Sequence, residues 1–187
     1  LSNINEVITS NTKVVSLTHQ SNVLGTINPL SEIVTRAHEV GAIVILDACQ
    51  SVPHMAVSVE ALGVDFLAFS GHKALGPTGV GILWGRKELL DELPPFLYGG
   101  SMVQSVDMTG ATWAAVPQKF EAGVPNMAQA VGLGAALNYL TKLGMDNVSA
   151  HEHALTGYLL EKMSEISDLT VVGPTENLSR GGAISFT

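Results

Sequence analysis

The chain has 187 residues, of which 46% are hydrophobic and 14% charged, and carries a formal net charge of −8. That balance suits a globular chain with a sizeable buried core rather than a disordered one, and it leaves no basic face for nucleic acid. No apolar run approaches about 18 residues, so no membrane span is expected. No cleavable leader is visible, and the lone cysteine, Cys49, rules out an internal disulfide framework and fits a reducing compartment.

The chain opens at Leu1, not Met, in what reads as a turn or helix, and it stops on the β-like run GGAISFT. It therefore reads as the middle of a longer protein. The run KVVSLT (13–18) predicts a buried strand, and NPLSEIVTRAHEVG (28–41) a helix with Pro29 near its start and Gly41 at its stop. Ile33, Val34, Ala37 and Val40 have helical spacing along it. AIVILD (42–47) is continuously apolar up to its last residue, as in a parallel strand buried on both faces. A short helix or turn is expected over 57–65, and strands over 66–70 and 79–85. Strand–helix–strand order implies right-handed crossovers and a largely parallel sheet with helices on its faces.

Residues 91–126 are rich in proline and glycine and show little periodicity, which points to a functional or interface segment. Helices are expected over 126–144 and 149–166, then strands over 169–174 and 181–187, as a second, smaller unit. His151 and His153 fall on different helix faces and read as solvated. Trp84 and Trp113 read as packing residues.

In open α/β sheets ligands bind beyond the C-terminal strand ends. Three consecutive strand ends here carry polar, proton-handling groups: His19, Ser21 and Asn22; Asp47, Cys49 and Gln50; Ser70, His72 and Lys73. Each has a plainer reading alone. Asp47 suits a cap or structural hydrogen bond, and Lys73 and His72 suit a solvated loop. Together they point to one crevice. A lysine in a partly desolvated crevice is a nucleophile able to form a Schiff base.

The blocks THQSNVLGT, LDACQ and FSGHKALGPTGVGIL, in that order, resemble the pyridoxal-phosphate-dependent cysteine desulfurases of the class V aminotransferase family. The likeness is to the iron–sulfur assembly branch, which includes selenocysteine lyases. GGSM, TW and KFEAGVPN extend it over nearly the whole chain. The resemblance implies an α/β fold: a pyridoxal-phosphate fold type I large domain, with a mostly parallel sheet and helices on both faces, plus the start of a smaller α+β C-terminal domain. The cofactor-binding part is expected over 1–139 and the second unit over 140–187.

The resemblance also implies roles. Lys73 looks like the lysine bound to the cofactor aldehyde and then the base at Cα. Asp47 looks like the partner of the pyridinium nitrogen, Gln50 the donor to the ring oxygen, and Ser70 and His72 the phosphate ligands. Asn22 looks like a contact to the substrate carboxylate. The implied substrate is L-cysteine, with L-selenocysteine or another class V substrate as the alternative. The implied partners are a sulfur-acceptor protein and a second copy in a cytoplasmic homodimer, with no nucleic acid, membrane or metal. The sulfur-accepting cysteine and a carboxylate-gripping arginine are expected beyond Thr187. Cys49 stands where the family has a small residue against the ring, so it reads as an inert packer. Without those expected groups, a chain that only binds cofactor or partner is the third alternative. Two departures stand out: Val124 where the family often has threonine reaching the partner subunit's cofactor phosphate, and Lys119 where arginine is frequent.

Overall fold

A computed structural model of the chain describes residues 3–177 and 180–187. Leu1 lies outside them. The short helix α1 (Ile4–Val7) leads into the central sheet, built from β1 (Val14–Thr18), β2 (Ile43–Asp47), β3 (Phe66–Ser70) and β4 (Gly81–Gly85) in that spatial order. β1, β2 and β3 are parallel, with Leu17, Leu46 and Leu67 in register across them. β4 runs antiparallel to β3. Its direction was not legible in the apolar run alone.

Helix α2 (Leu30–Glu39) connects β1 to β2. It presents Leu30, Ile33, Val34 and Ala37 as one buried stripe, as the helical spacing predicts. Glu32 in its first turn and Arg36 and His38 in its last complement the helix dipole. Leu30, Val34 and Ala37 of this stripe pack with Val44, Leu46 and Leu67 on one sheet face. Burying side chains of that size contributes roughly 1.5–3 kcal/mol each. Before β3, Ser58 caps the single-turn helix α3 (Val59–Leu62) by accepting the Ala61 N–H at 3.3 Å, and Gly63 closes it in the left-handed region at φ 68°.

At the N-terminal edge of the sheet, Asp65 is buried with three partners. It accepts the Val44 N–H at 2.8 Å, Arg86 Nη1 at 3.0 Å, and lies 2.9 Å from His38 Nε2. Burial raises its carboxyl pKa, but the Val44 N–H, His38 and Arg86 outweigh burial and hold it below the ordinary value.

The segment 91–126 holds more structure than its composition suggests. Helix α4 (Lys87–Glu92) runs into it, and β5 (Val103–Asp107) pairs with β6 (Gly110–Trp113) as an antiparallel hairpin. Asp107 makes the turn, its Oδ1 accepting the N–H groups of Thr109 at 2.7 Å and Gly110 at 3.1 Å. Tyr98 packs on Trp113 with ring centroids 5.2 Å apart.

Two helices follow, α5 (Met127–Leu143) and α6 (Met145–Ser164), joined at Gly144. The second begins four residues before the expected start at 149. The last strands, β7 (Val171–Val172) and β8 (Ser185–Phe186), form a separate short antiparallel pair. They are much shorter than the expected runs over 169–174 and 181–187. No helix among the described residues is long and apolar enough to cross a membrane.

Candidate active site

Because β1, β2 and β3 are parallel neighbours, their C-terminal ends share one edge. Thr18, Asp47 and Ala68 stand side by side in register. The edge is knitted across the strands: the His19 N–H donates to the Asp47 carbonyl at 2.8 Å, and the Ala48 N–H to the Ala68 carbonyl at 2.8 Å. Asp47 is exposed at the strand end, and its Oδ1 accepts the Cys49 N–H at 2.9 Å. The Cys49 thiol in turn donates to Ser70 Oγ at 3.6 Å, so the ends of β2 and β3 are linked by side chains as well as by the ladder.

Lys73 lies in the connection between β3 and β4, residues 71–80. A 3-10 turn over Gly71–Ala74 follows Ser70 directly. The Gly71 N–H donates to the Val80 carbonyl at 2.8 Å and the Gly76 N–H to the Gly71 carbonyl at 3.0 Å. Glycine is needed at both: a Cβ on Gly71 would sit 2.9 Å from the Val80 carbonyl oxygen, and one on Gly76 2.9 Å from the Gly71 oxygen. Leu133 of α5 packs beneath both glycines. Gly71 and Ala74 are buried while His72 and Lys73 between them are exposed. The turn is thus a fixed pedestal that offers two side chains outward.

The other expected residues are spread around this edge. Asn22 is exposed in the loop after β1. Gln50 is half-buried in the turn after β2 and lines a groove against α6 with Glu152 and Leu155. Beside it, His54 Nδ1 lies 2.5 Å from Glu152 Oε1 and ties that turn to α6. His151 and His153 are exposed, and Trp84 packs against the core.

His19 stands at the first strand end, where its sequence setting gives it no role. The structure buries it, with Nδ1 lacking a hydrogen-bond partner. Burial pushes its imidazole below the ordinary histidine value, so it is neutral near pH 7. Arg180 is also buried, and its only signal in the sequence is an arginine ahead of paired glycines and a β-like run.

An exposed carboxylate, a hydroxyl, an imidazole and a primary amine therefore occupy two neighbouring parallel strand ends, with a third strand end and its loop alongside. That edge is where open α/β sheets hold their ligands. The family model for aminotransferase class-V matches residues 1–187, and the chain belongs to that family. It is 59% identical to a probable cysteine desulfurase of Streptomyces coelicolor, over 100% of this chain and 45% of that protein. Its fold matches the apo structure of a cysteine desulfurase from Thermococcus onnurineus with a TM-score of 0.94 and 37% identity, covering 100% of this chain and 46% of that one. It also matches a structure of C-DES carrying glycine covalently linked to its PLP cofactor, with a TM-score of 0.82 and 26% identity, over 97% of this chain and 49% of the other. The chain spans about half the length of these relatives.

Proposed function

We propose that the protein carrying this chain is a pyridoxal-phosphate-dependent cysteine desulfurase, converting L-cysteine to L-alanine and passing the sulfur to an enzyme thiol as a persulfide. The observation that carries this reading is the meeting of Asp47, Ser70 and the Lys73 turn at one sheet edge. The donor set suits the cofactor: a carboxylate for its ring nitrogen, a hydroxyl and an imidazole for its phosphate, and an amine for its aldehyde. The glycines of the Lys73 turn let the backbone close beneath that amine without a side chain in the way.

Bound there, pyridoxal phosphate supplies an electron sink for the pair left when the substrate Cα gives up its proton. Lys73 would hold the cofactor aldehyde through its Nζ, and the same amine would take up the proton from the substrate Cα. Asp47 keeps the ring nitrogen protonated by opposite charge, its carboxylate oriented by the Cys49 N–H. Ser70 and His72 hold the phosphate, Gln50 the ring oxygen, and Asn22 the substrate carboxylate.

The sulfur is taken by a thiol outside residues 1–187. Cys49 is hemmed in between Asp47 and Ser70 and serves as packing. Residues 1–139 form the cofactor-binding part and 140–187 the start of the second unit, with α5 spanning the join. The exposed side chains Phe96, Tyr98 and Met108 of the segment 91–126 support its reading as an arm in a homodimer. The sulfur then passes to an acceptor protein of iron–sulfur assembly in the cytoplasm.

The test is direct. The full-length protein, loaded with pyridoxal phosphate, is given L-cysteine, and alanine is measured with and without a thiol reductant. Alanine in step with released sulfide is the expected result. A cofactor-loaded protein that forms no alanine overturns the reading, and L-selenocysteine run in parallel tells which chalcogen is preferred.

A further inference from the structure

We propose that Arg180, in the second unit, is a positioning residue for the substrate loop that carries Asn22; the proposal rests on the reading of Asn22 as the contact to the substrate carboxylate. The loop after β1 is a tight, self-bonded turn. Gln20 and Ile27 bridge at its base, the Ser21 N–H donates to the Thr26 carbonyl at 2.9 Å, and Ser21 Oγ accepts the N–H groups of Val23 at 3.2 Å and Leu24 at 3.1 Å. Asn22 stands exposed at its crest.

The backbone carbonyls of Val23, Leu24 and Gly25 are taken by a segment far along the chain. Arg180 Nη2 donates to the Leu24 carbonyl at 3.1 Å and to the Ala183 carbonyl at 2.7 Å, while Nη1 donates to the Pro174 carbonyl. The guanidinium thus staples the loop to both flanks of its own segment. Two further bonds flank it: the Gly181 N–H to the Gly25 carbonyl at 2.8 Å, and Ser185 Oγ to the Val23 carbonyl at 2.7 Å. The fit is close enough to need glycine at 25, where φ is 72° and a Cβ would lie 2.5 Å from the Ala183 oxygen.

Arg180 is 4% exposed, and no carboxylate pairs with it among the described residues. A buried guanidinium spends its donors on backbone carbonyls when what it fixes is a backbone path. Here that path runs through Val23, Leu24 and Gly25, the residues that directly follow Asn22. The second unit therefore sets the pose of a side chain at the edge of the first.

The experiment uses the full-length holoenzyme with Arg180→Met, Arg180→Lys, Ser185→Ala, Asn22→Ala and the double variant Arg180→Met/Asn22→Ala. Arg180→Met is expected to raise KM for L-cysteine by about tenfold, the loss of one hydrogen bond to a charged donor. Bound cofactor, read from its visible absorption, stays at the wild-type level, and Arg180→Lys recovers part of the loss. In the Asn22→Ala background the same substitution adds little, because its effect runs through Asn22. Ser185→Ala, a milder cut of the same staple, raises KM by about two- to threefold.

An unchanged KM in Arg180→Met, or a full additive loss on Asn22→Ala, overturns the proposal. If Arg180→Met does not fold, Ser185→Ala and its combination with Asn22→Ala decide it by the same two criteria. A wild-type holoenzyme that forms no alanine sinks the functional reading itself, while an Asn22→Ala with wild-type KM in an active holoenzyme sinks the assignment of Asn22 and this proposal with it.

Discussion

Asn126 donates its side-chain amide to the carbonyl oxygen of Gly79 at 2.7 Å. The bond joins the start of α5 to the far end of the connection that carries Lys73. Gly79 sits in the left-handed region at φ 79°, so the connection turns sharply there, and Asn126 clasps the turn from outside. Asn126→Ala removes the clasp and is expected to cost about 1 kcal/mol. In a titration of the full-length apoprotein, cofactor affinity falls about fivefold. Wild-type affinity in that variant would mean the pedestal holds Lys73 without the clasp.

Lys73→Ala is expected to abolish covalent cofactor capture and to lower alanine formation by at least about a hundredfold. Lys73 is exposed while Gly71 and Ala74 beside it are buried, so the fold does not depend on it. Thermal unfolding stays within a few degrees of wild type. A borohydride-treated variant that still retains covalently fixed cofactor would assign the capture to another amine.

Much of the sheet was legible because its signals are local. AIVILD predicts a strand over 42–47, and β2 spans Ile43–Asp47; FLAFS predicts β3 at its observed bounds. The helical spacing of Ile33, Val34 and Ala37 gives the buried stripe of α2. The strand-end rule brings Asp47 and Ser70 to one edge without tertiary information. What was not legible depends on contacts between distant residues. β4 reads as a strand, but its antiparallel direction is set by the glycine-dependent turn over 71–80. The β5–β6 hairpin hid because its turn residue, Asp107, was read as part of an aperiodic stretch. Arg180 acts on Leu24 across most of the chain, a separation no periodicity reports.

Cys49→Ala is expected to leave sulfur transfer within about twofold of wild type. The thiol's contacts are to Ser70 Oγ, with its N–H on Asp47, and the N–H survives the substitution. The loss is a small packing volume and one weak bond, worth about 1 kcal/mol of stability. Alanine production measured beside cofactor content checks this. Loss of sulfur transfer with cofactor retained would make Cys49 the acceptor thiol.

Val124 is 84% exposed, in the segment proposed to face a partner subunit. Valine has no donor for a phosphate, so Val124→Thr is expected to tighten cofactor binding by about three- to tenfold, the gain from one hydrogen bond to a charged group. The comparison is made by titrating the full-length apoprotein. No tightening would place this position away from the phosphate.

Asp65 sets how the fold responds to acid. Its carboxyl is held below the ordinary value, so the folded state favours the ionised form more than the unfolded chain does. The stability it contributes is complete above the unfolded value and is lost as pH falls through the lower folded value. That loss belongs below about pH 4. Asp65→Asn keeps the shape but gives up the charge facing Arg86 and His38, both of them partly exposed. The expected cost near pH 7 is about 1–3 kcal/mol, set by the buried group and not by its screened partners. In urea unfolding, the gap between wild type and Asp65→Asn narrows as pH drops from 6 toward 3, because the wild-type carboxyl becomes protonated and loses the same interactions. A gap that stays constant over that range would show that Asp65 contributes packing and hydrogen bonds but no charge.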